Sequence, residues 1–233
     1  MNDQETSAPH APHAPRDDAI VLINGSPRAD GQCARLTRAL TDALQQHGMP
    51  VVAFNISEGR YLPCLGCQTC TQRGECVQTS DDTARMQPYL ERAAGLIWVS
   101  PLYFASISAQ LKGIVDRQMV YWCRRNLPKP AEIHPAPPQG RPAAAFLVAG
   151  SDDPLTPVAL TPLRYASTVL GFDLNVTRGY SGLDDDTNTG ADDNGSDGHS
   201  FDDFIEGASA EVCQLFAAVS AAPTVTAPPP SLP

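Results

Sequence analysis

No apolar run in the 233-residue chain approaches the roughly 18 residues that a membrane-spanning helix needs. The first eighteen residues also lack the apolar core of a secretory signal. Together these absences predict a cytoplasmic protein with no membrane partner. Basic residues are scarce as well: 16 Lys and Arg stand against 26 Asp and Glu, a net charge of −10. Such a balance argues against a nucleic-acid partner. The deficit is nevertheless local. Asp184, Asp185, Asp186, Asp192, Asp193, Asp197, Asp202, Asp203 and Glu206 share one stretch without Lys or Arg, and the rest of the chain carries 17 acids against 16 bases. That Gly/Asn/Asp-rich stretch predicts a long exposed loop, and its carboxylates lack the ordered spacing of an EF-hand.

There is no internal repeat, and the length suits one domain with a sizeable core. Proline is clustered: 14 of the 22 lie before residue 18, between Pro128 and Pro142, or after residue 222, segments expected to be irregular. Residues 1–18 and 221–233 read as disordered tails around a domain at 19–220. Within it, short apolar runs alternate with helical patterns. Ala19–Ile23, Val51–Phe54, Leu96–Val99, Ala143–Val148 and Phe172–Val176 read as strands. A first helix carries Leu36, Leu40, Ala43 and Leu44 and ends at Gly48; a second starts at Asp81–Asp82, with Pro88 delaying or kinking it. A third buries Leu111, Ile114, Val115, Met119 and Trp122, a fourth runs from Pro162 to Gly171, and the last spans Phe204 to Val219. Five βα units in alternation imply a parallel sheet with helices on both faces.

Ligands of such sheets bind where the strands end, near the point at which strand order reverses. Gly25-Ser-Pro-Arg-Ala-Asp-Gly31-Gln-Cys joins the first strand to the first helix. Free N–H groups, the Ser26 hydroxyl and the Arg28 guanidinium suit a phosphomonoester there. The glycines match neither the Walker loop nor G-x-G-x-x-G, and a plain βα turn is the alternative. After the third strand, Ser100-Pro-Leu-Tyr-Phe-Ala-Ser106 offers backbone amides and two aromatics to a planar heterocycle, although Tyr103 and Phe104 equally suit a core. The loop Gly150-Ser151-Asp152 follows the fourth strand.

Cys64, Cys67, Cys70 and Cys76 form a C-x2-C-x2-C-x5-C run within residues 62–78. Three thiolates so closely spaced can wrap one face of a cubane that the fourth closes, which favours a [4Fe–4S] cluster. A zinc site, which normally draws on two separated pairs, and free or redox-paired thiols are the alternatives. Cys33, Cys123 and Cys213 fall on helices and read as small buried apolar residues.

Three features, INGSPRADGQCARL at 23–36, PCLGCQTCTQRGECV at 63–77 with Asp81-Asp82, and SPLYFASISAQLKGIVDR at 100–117, resemble the iron–sulfur flavoprotein family, a branch of the NADPH-dependent FMN reductase group. The resemblance implies a flavodoxin-like, doubly wound five-stranded parallel sheet. It also implies FMN, its phosphate on Ser26, Arg28, Gln32 and Cys33 and its ring along Pro101, Leu102, Tyr103, Phe104 and Ser106, with Gly150 and Ser151 beside it. Cys64, Cys67, Cys70 and Cys76 become the ligands of a [4Fe–4S] cluster. Self-association is a further implication. The likeness runs from Ala19 to Val148 and fades beyond Gly150.

The implied activity is electron transfer between a small molecule or quinone, FMN and the cluster, with NAD(P)H or ferredoxin as the candidate exchange partner. No protein acid or base is required: His10 and His13 fall in the tail, His47 at a helix end, and His134 and His199 in loops. Lys112, Arg117, Arg124, Arg125, Lys129 and Arg141 surround the proline-rich insertion. They read as a solvated face or, with Arg124 and Arg125 as anion contacts, as the site of an amino-deoxychorismate-type dicarboxylate that a dedicated dehydrogenase aromatises. A non-catalytic electron carrier and a zinc-knuckle binding module are the rival readings.

Overall fold

A computed structural model describes residues 15–150, 157–181 and 200–220 of the chain. The C-terminal tail, most of the N-terminal one, Ser151 and most of the acidic stretch lie outside the described residues. In chain order the elements are β1 (Ile20–Asn24), α1 (Gln32–Gln46), β2 (Val51–Asn55), α2 (Cys70–Arg73), α3 (Asp82–Arg92), β3 (Gly95–Tyr103) and β4 (Ser106–Ile107). There follow α4 (Ala109–Arg117), α5 (Met119–Asn126), α6 (Pro128–Ile133), β5 (Arg141–Val148), α7 (Pro157–Leu170), β6 (Phe172–Tyr180) and α8 (Phe201–Ser220).

The five long strands are all parallel, in the order β2-β1-β3-β5-β6, and the two-residue β4 pairs antiparallel with the end of β3. This sixth strand is an addition to the expected five. Alternation along the buried strands divides the core in two. Val21, Ile23, Leu96, Trp98, Ala145 and Leu147 face α3, α4, α5 and α7. Ile20, Leu22, Ile97, Val99, Phe146 and Val148 face α1 and α8. Burying both faces explains why β1, β3 and β5 are continuous apolar runs rather than alternating ones.

Local chemistry sets the helix ends. At α1, Met49 N–H reaches Leu44 O at 3.0 Å and Gly48 N–H reaches Gln45 O at 2.9 Å. With Gly48 at φ 75°, this is the left-handed stop that a glycine allows. Asp81 caps α3 by accepting from Ala84 N–H at 3.1 Å. Ser200 and Asp203 cap α8 reciprocally, Ser200 N–H donating to Oδ2 at 3.1 Å and Asp203 N–H to the Ser200 hydroxyl at 3.2 Å.

Proline was a weaker stop than expected. Pro128 and Pro130 lie in the first turn of α6, where the missing N–H has no intrahelical role. Pro142 lies at the start of β5. α3 begins at Asp82 and runs past Pro88, and α7 begins at Pro157, with Pro162 inside it. The carbonyl that Pro162 cannot serve belongs to Val158, a residue that is 60% exposed. The expected third helix is two, broken at Gln118, and α5 consequently turns Tyr121 and Cys123 inward and leaves Met119 and Trp122 exposed.

Candidate cofactor site and cysteine loop

Strand order reverses between β1 and β3, and the loops leaving these strands meet there. Gly25 N–H donates to Val99 O at 2.7 Å. Ser108 caps α4 by accepting from Leu111 N–H at 3.1 Å, donates its hydroxyl to Gly25 O at 2.6 Å, and its own N–H reaches the Ser100 hydroxyl at 3.3 Å. One buried serine therefore ties both loops to one helix. Glycine at 25 is a packing requirement, since a Cβ there would lie 2.8 Å from Leu111 Cβ. Beneath the loop, buried Asn24 accepts from Ser26 N–H at 3.0 Å and donates to Asn55 Oδ1 at 3.2 Å. Asn24 and Ser108 are positioning residues that sequence reasoning missed. Their only signals are a polar residue closing an apolar strand and a serine just before a helix.

Ser26 is buried, its hydroxyl accepting from Arg28 N–H at 3.1 Å, while the Arg28 side chain is exposed. α1 starts at Gln32 with Gly31 as its cap, no side-chain cap bond and no acidic residue in the first turn. That leaves N–H donors and the positive end of the helix for an anion. Cys33 is buried and desolvation pushes its thiol up to about 12, so it offers its N–H and not a thiolate. Gln32 is half-buried and 3.5 Å from Arg35 Nη1.

The second loop is a tight hairpin. Tyr103 pairs with Ser106 across a turn whose central residues, Phe104 at φ 49° and Ala105 at φ 59°, are both left-handed without being glycine. Phe104 is fully exposed and Tyr103 42% exposed, so neither is a core residue. Strain beside an exposed aromatic is a common mark of a ligand-contacting turn. Ala105→Gly should therefore stabilise the chain by about 0.5–1 kcal/mol, strain relief exceeding the entropy of glycine. A urea melt with a lowered midpoint would show that the turn does not hold this conformation in solution. Gly150 is half-buried at the end of β5, at the same end of the sheet.

Cys64, Cys67, Cys70 and Cys76 line one cavity with Leu65, Val77, Gln78, Arg117, Met119 and Val120. Gly66 and Gln68, at φ 65° and 60°, bend the arm between them. Among the described residues, no three His, Cys, Asp or Glu side chains converge as around a single metal ion. The cavity is about 30 Å³, room for one water. A four-iron group therefore fits only if the arm bearing the exposed Cys64 and Cys67 opens. The donor set itself fits: four thiols, with no histidine or carboxylate on the wall. The Thr69 N–H first, and then the contact of Cys67 Sγ with the Thr69 hydroxyl at 3.5 Å, lower the Cys67 pKa. Cys123, buried behind Cys70, is pushed up to about 11 by desolvation and by its hydrogen bond with Cys70.

The basic residues around the insertion depart from the expected substrate contacts. Arg125 donates to Val169 O at 2.6 Å and Pro137 O at 2.7 Å, and Arg124 to Gly74 O and Glu91, both at 2.7 Å. Val169 and Glu91 precede β6 and β3, so this pair lies at the amino end of the sheet, opposite the cofactor loops. Arg141 likewise binds Leu90 O and Ala93 O, Lys112 pairs with Asp116, Arg117 with Asp81, and Lys129 reaches Gln72. Carbonyls at the ends of α2, α3 and α7, left without intrahelical partners, take up Arg124, Arg141 and Arg125 in turn.

Fold and loops define a flavodoxin-like α/β protein whose two loops meet at the β1/β3 switch point. Residues 19–159 match the family model for NADPH-dependent FMN reductase, and the chain belongs to that family. Among its relatives, one iron–sulfur flavoprotein of Methanocaldococcus jannaschii is 34% identical over 42% of this chain and 50% of its own. A second from the same organism is 30% identical over 62% and 68%, respectively. An iron–sulfur flavoprotein of Archaeoglobus fulgidus is 36% identical over 46% and 48%. The chain thus spans about half the length of most curated relatives it matches. Among solved structures, an apo NADH:FMN oxidoreductase aligns over 88% of this chain and 92% of its own at 20% identity, with a TM-score of 0.52. The flavodoxin, WrbA-like protein of Agrobacterium tumefaciens aligns over 87% and 98% at 12% identity, with a TM-score of 0.51. These likenesses concern the fold.

Proposed function

We propose that this chain is an FMN-dependent oxidoreductase that also holds a [4Fe–4S] cluster and passes electrons between a small-molecule substrate or reduced carrier, the flavin and the cluster. The observation that carries the reading is the pair of loops at the β1/β3 switch point, fastened together by Ser108, in a chain of the FMN reductase family. Ser26, Arg28 and the N–H groups of Gln32 and Cys33 would hold the phosphate. Pro101 to Ser106 would flank the ring, with Phe104 and Tyr103 excluding water from one side. Bound flavin supplies hydride and single-electron chemistry, which lets a two-electron donor serve a one-electron acceptor.

Cys64, Cys67, Cys70 and Cys76 would ligate the cluster. Supporting this are the four thiols that line one cavity and the names of the relatives. NAD(P)H is the proposed donor, on the family's description, and a quinone or ferredoxin the proposed acceptor. The dicarboxylate reading loses its anchor, because Arg124 and Arg125 point their donors to carbonyls at the other end of the sheet.

Fluorescence titration of the flavin-free chain with FMN tests the reading. Wild type should saturate at about one FMN per chain, and Ser26→Asp, which sets a carboxylate against the phosphate, should bind roughly 10–100-fold more weakly. Equal affinities would remove the phosphate from this loop.

A further inference from the structure

Arg117 is the last residue of α4 and its side chain is fully buried, as is that of its partner Asp81. The pair links sequence positions far apart. Asp81 accepts from Leu62 N–H at 3.0 Å. Arg117 Nη1 donates to the same Asp81 and to Leu62 O at 3.3 Å, and Nη2 donates to Gln78 O at 2.8 Å. Leu62 lies two residues before Cys64 and Gln78 two after Cys76. One guanidinium thus holds both ends of the cysteine loop.

The Nε–H is different. Arg117 Nε is buried with no hydrogen-bond partner, although Arg117 lines the cavity of the four cysteines. Burying an N–H without an acceptor is costly, and such groups are uncommon in native proteins unless a bound group completes them. Besides the amides of Gln68 and Gln78, the side-chain acceptors on this wall are sulfurs: four cysteines line it, and no carboxylate does. Hydrogen bonds to sulfur are one of the means by which a protein sets the potential of an iron–sulfur group.

We propose that Arg117 is a positioning residue of the cysteine site: its Nη groups clamp the ends of the loop, and its Nε–H donates to sulfur of the iron–sulfur group held there and raises that group's reduction potential. This rests on the cluster reading above. Donation to sulfur stabilises the more negative, reduced state, so losing it moves the potential down.

Arg117→Lys is the discriminating variant. A lysine Cε occupies the place of Nε, replacing the N–H by a methylene, while Nζ still brings a positive charge towards Asp81. Both proteins are purified without oxygen, assayed for iron and flavin, and titrated electrochemically with the cluster followed by paramagnetic resonance. Support is a more negative midpoint with iron retained, or a loss of iron with flavin retained. An unchanged iron content and midpoint would overturn the proposal, as would parallel loss of iron and flavin, the mark of general unfolding. Wild type without iron would refute the cluster reading and the proposal with it, a failure recognisable because it appears before any substitution.

Discussion

Asp81→Asn should cost about 3–5 kcal/mol of folding stability, because it leaves the buried Arg117 cation without its counter-ion. Against a usual total of about 5–15 kcal/mol, that is a large share. Asparagine keeps an acceptor for the Ala84 N–H, so the loss reports the ion pair more than the α3 cap. The pH dependence has a definite sign. Burial alone would raise the Asp81 pKa, but hydrogen bonds from Leu62, Arg117 and Ala84 outweigh it and hold the carboxyl below its ordinary value. A carboxylate lowered on folding contributes fully above the unfolded value of about 4, and its contribution is lost as pH falls through the lower folded one. Wild type should therefore lose stability below about pH 4, and Asp81→Asn should lose less over that range. Urea melts at pH 7 and down to pH 3 measure both effects. A loss under about 1 kcal/mol at pH 7, a surface-pair value, would show that the pair is solvated.

Cys70→Ala should abolish iron and sulfide binding while leaving about one FMN per chain, because a cubane in this loop needs all four thiolates and the phosphate loop is built from other elements. Cys70 opens α2, whose main contacts are with α5 and α6. Cys123→Ala is the matched control. That thiol is buried on α5, outside the spacing motif, and its loss should preserve the iron. Iron and acid-labile sulfide assays beside flavin released by denaturation check the pair. Equal iron in Cys70→Ala and wild type would remove Cys70 from the ligands.

The sheet was legible because strands buried on both faces leave continuous apolar runs, as in Ile20–Ile23 and Leu96–Val99. Asp81 could be read as a cap because capping is local. What depends on distant neighbours was not legible. Arg117 meets Asp81 across 36 positions, and nothing in either segment announces that the two seal a loop. The run Arg124-Arg125 suggested an anion site, yet each side chain meets carbonyls 12 to 50 residues away. Met119 and Trp122 continued a helical stripe that the structure breaks at Gln118. Pro128 and Pro130 were read as breakers although a first turn tolerates them. The cofactor loops were visible as motifs, but the bond that joins them, Ser108 hydroxyl to Gly25 O, spans 83 positions and required the fold.

One chain is expected to hold FMN at the β1/β3 switch point and an iron–sulfur cluster in the 62–78 loop. Purification without oxygen, followed by the visible spectrum and by assays of flavin, iron and sulfide on the same sample, tests it most directly. About one FMN with about four iron and four sulfide per chain are expected, with a flavin spectrum over a broad cluster absorbance that bleaches on reduction. A colourless protein holding neither flavin nor iron would contradict it.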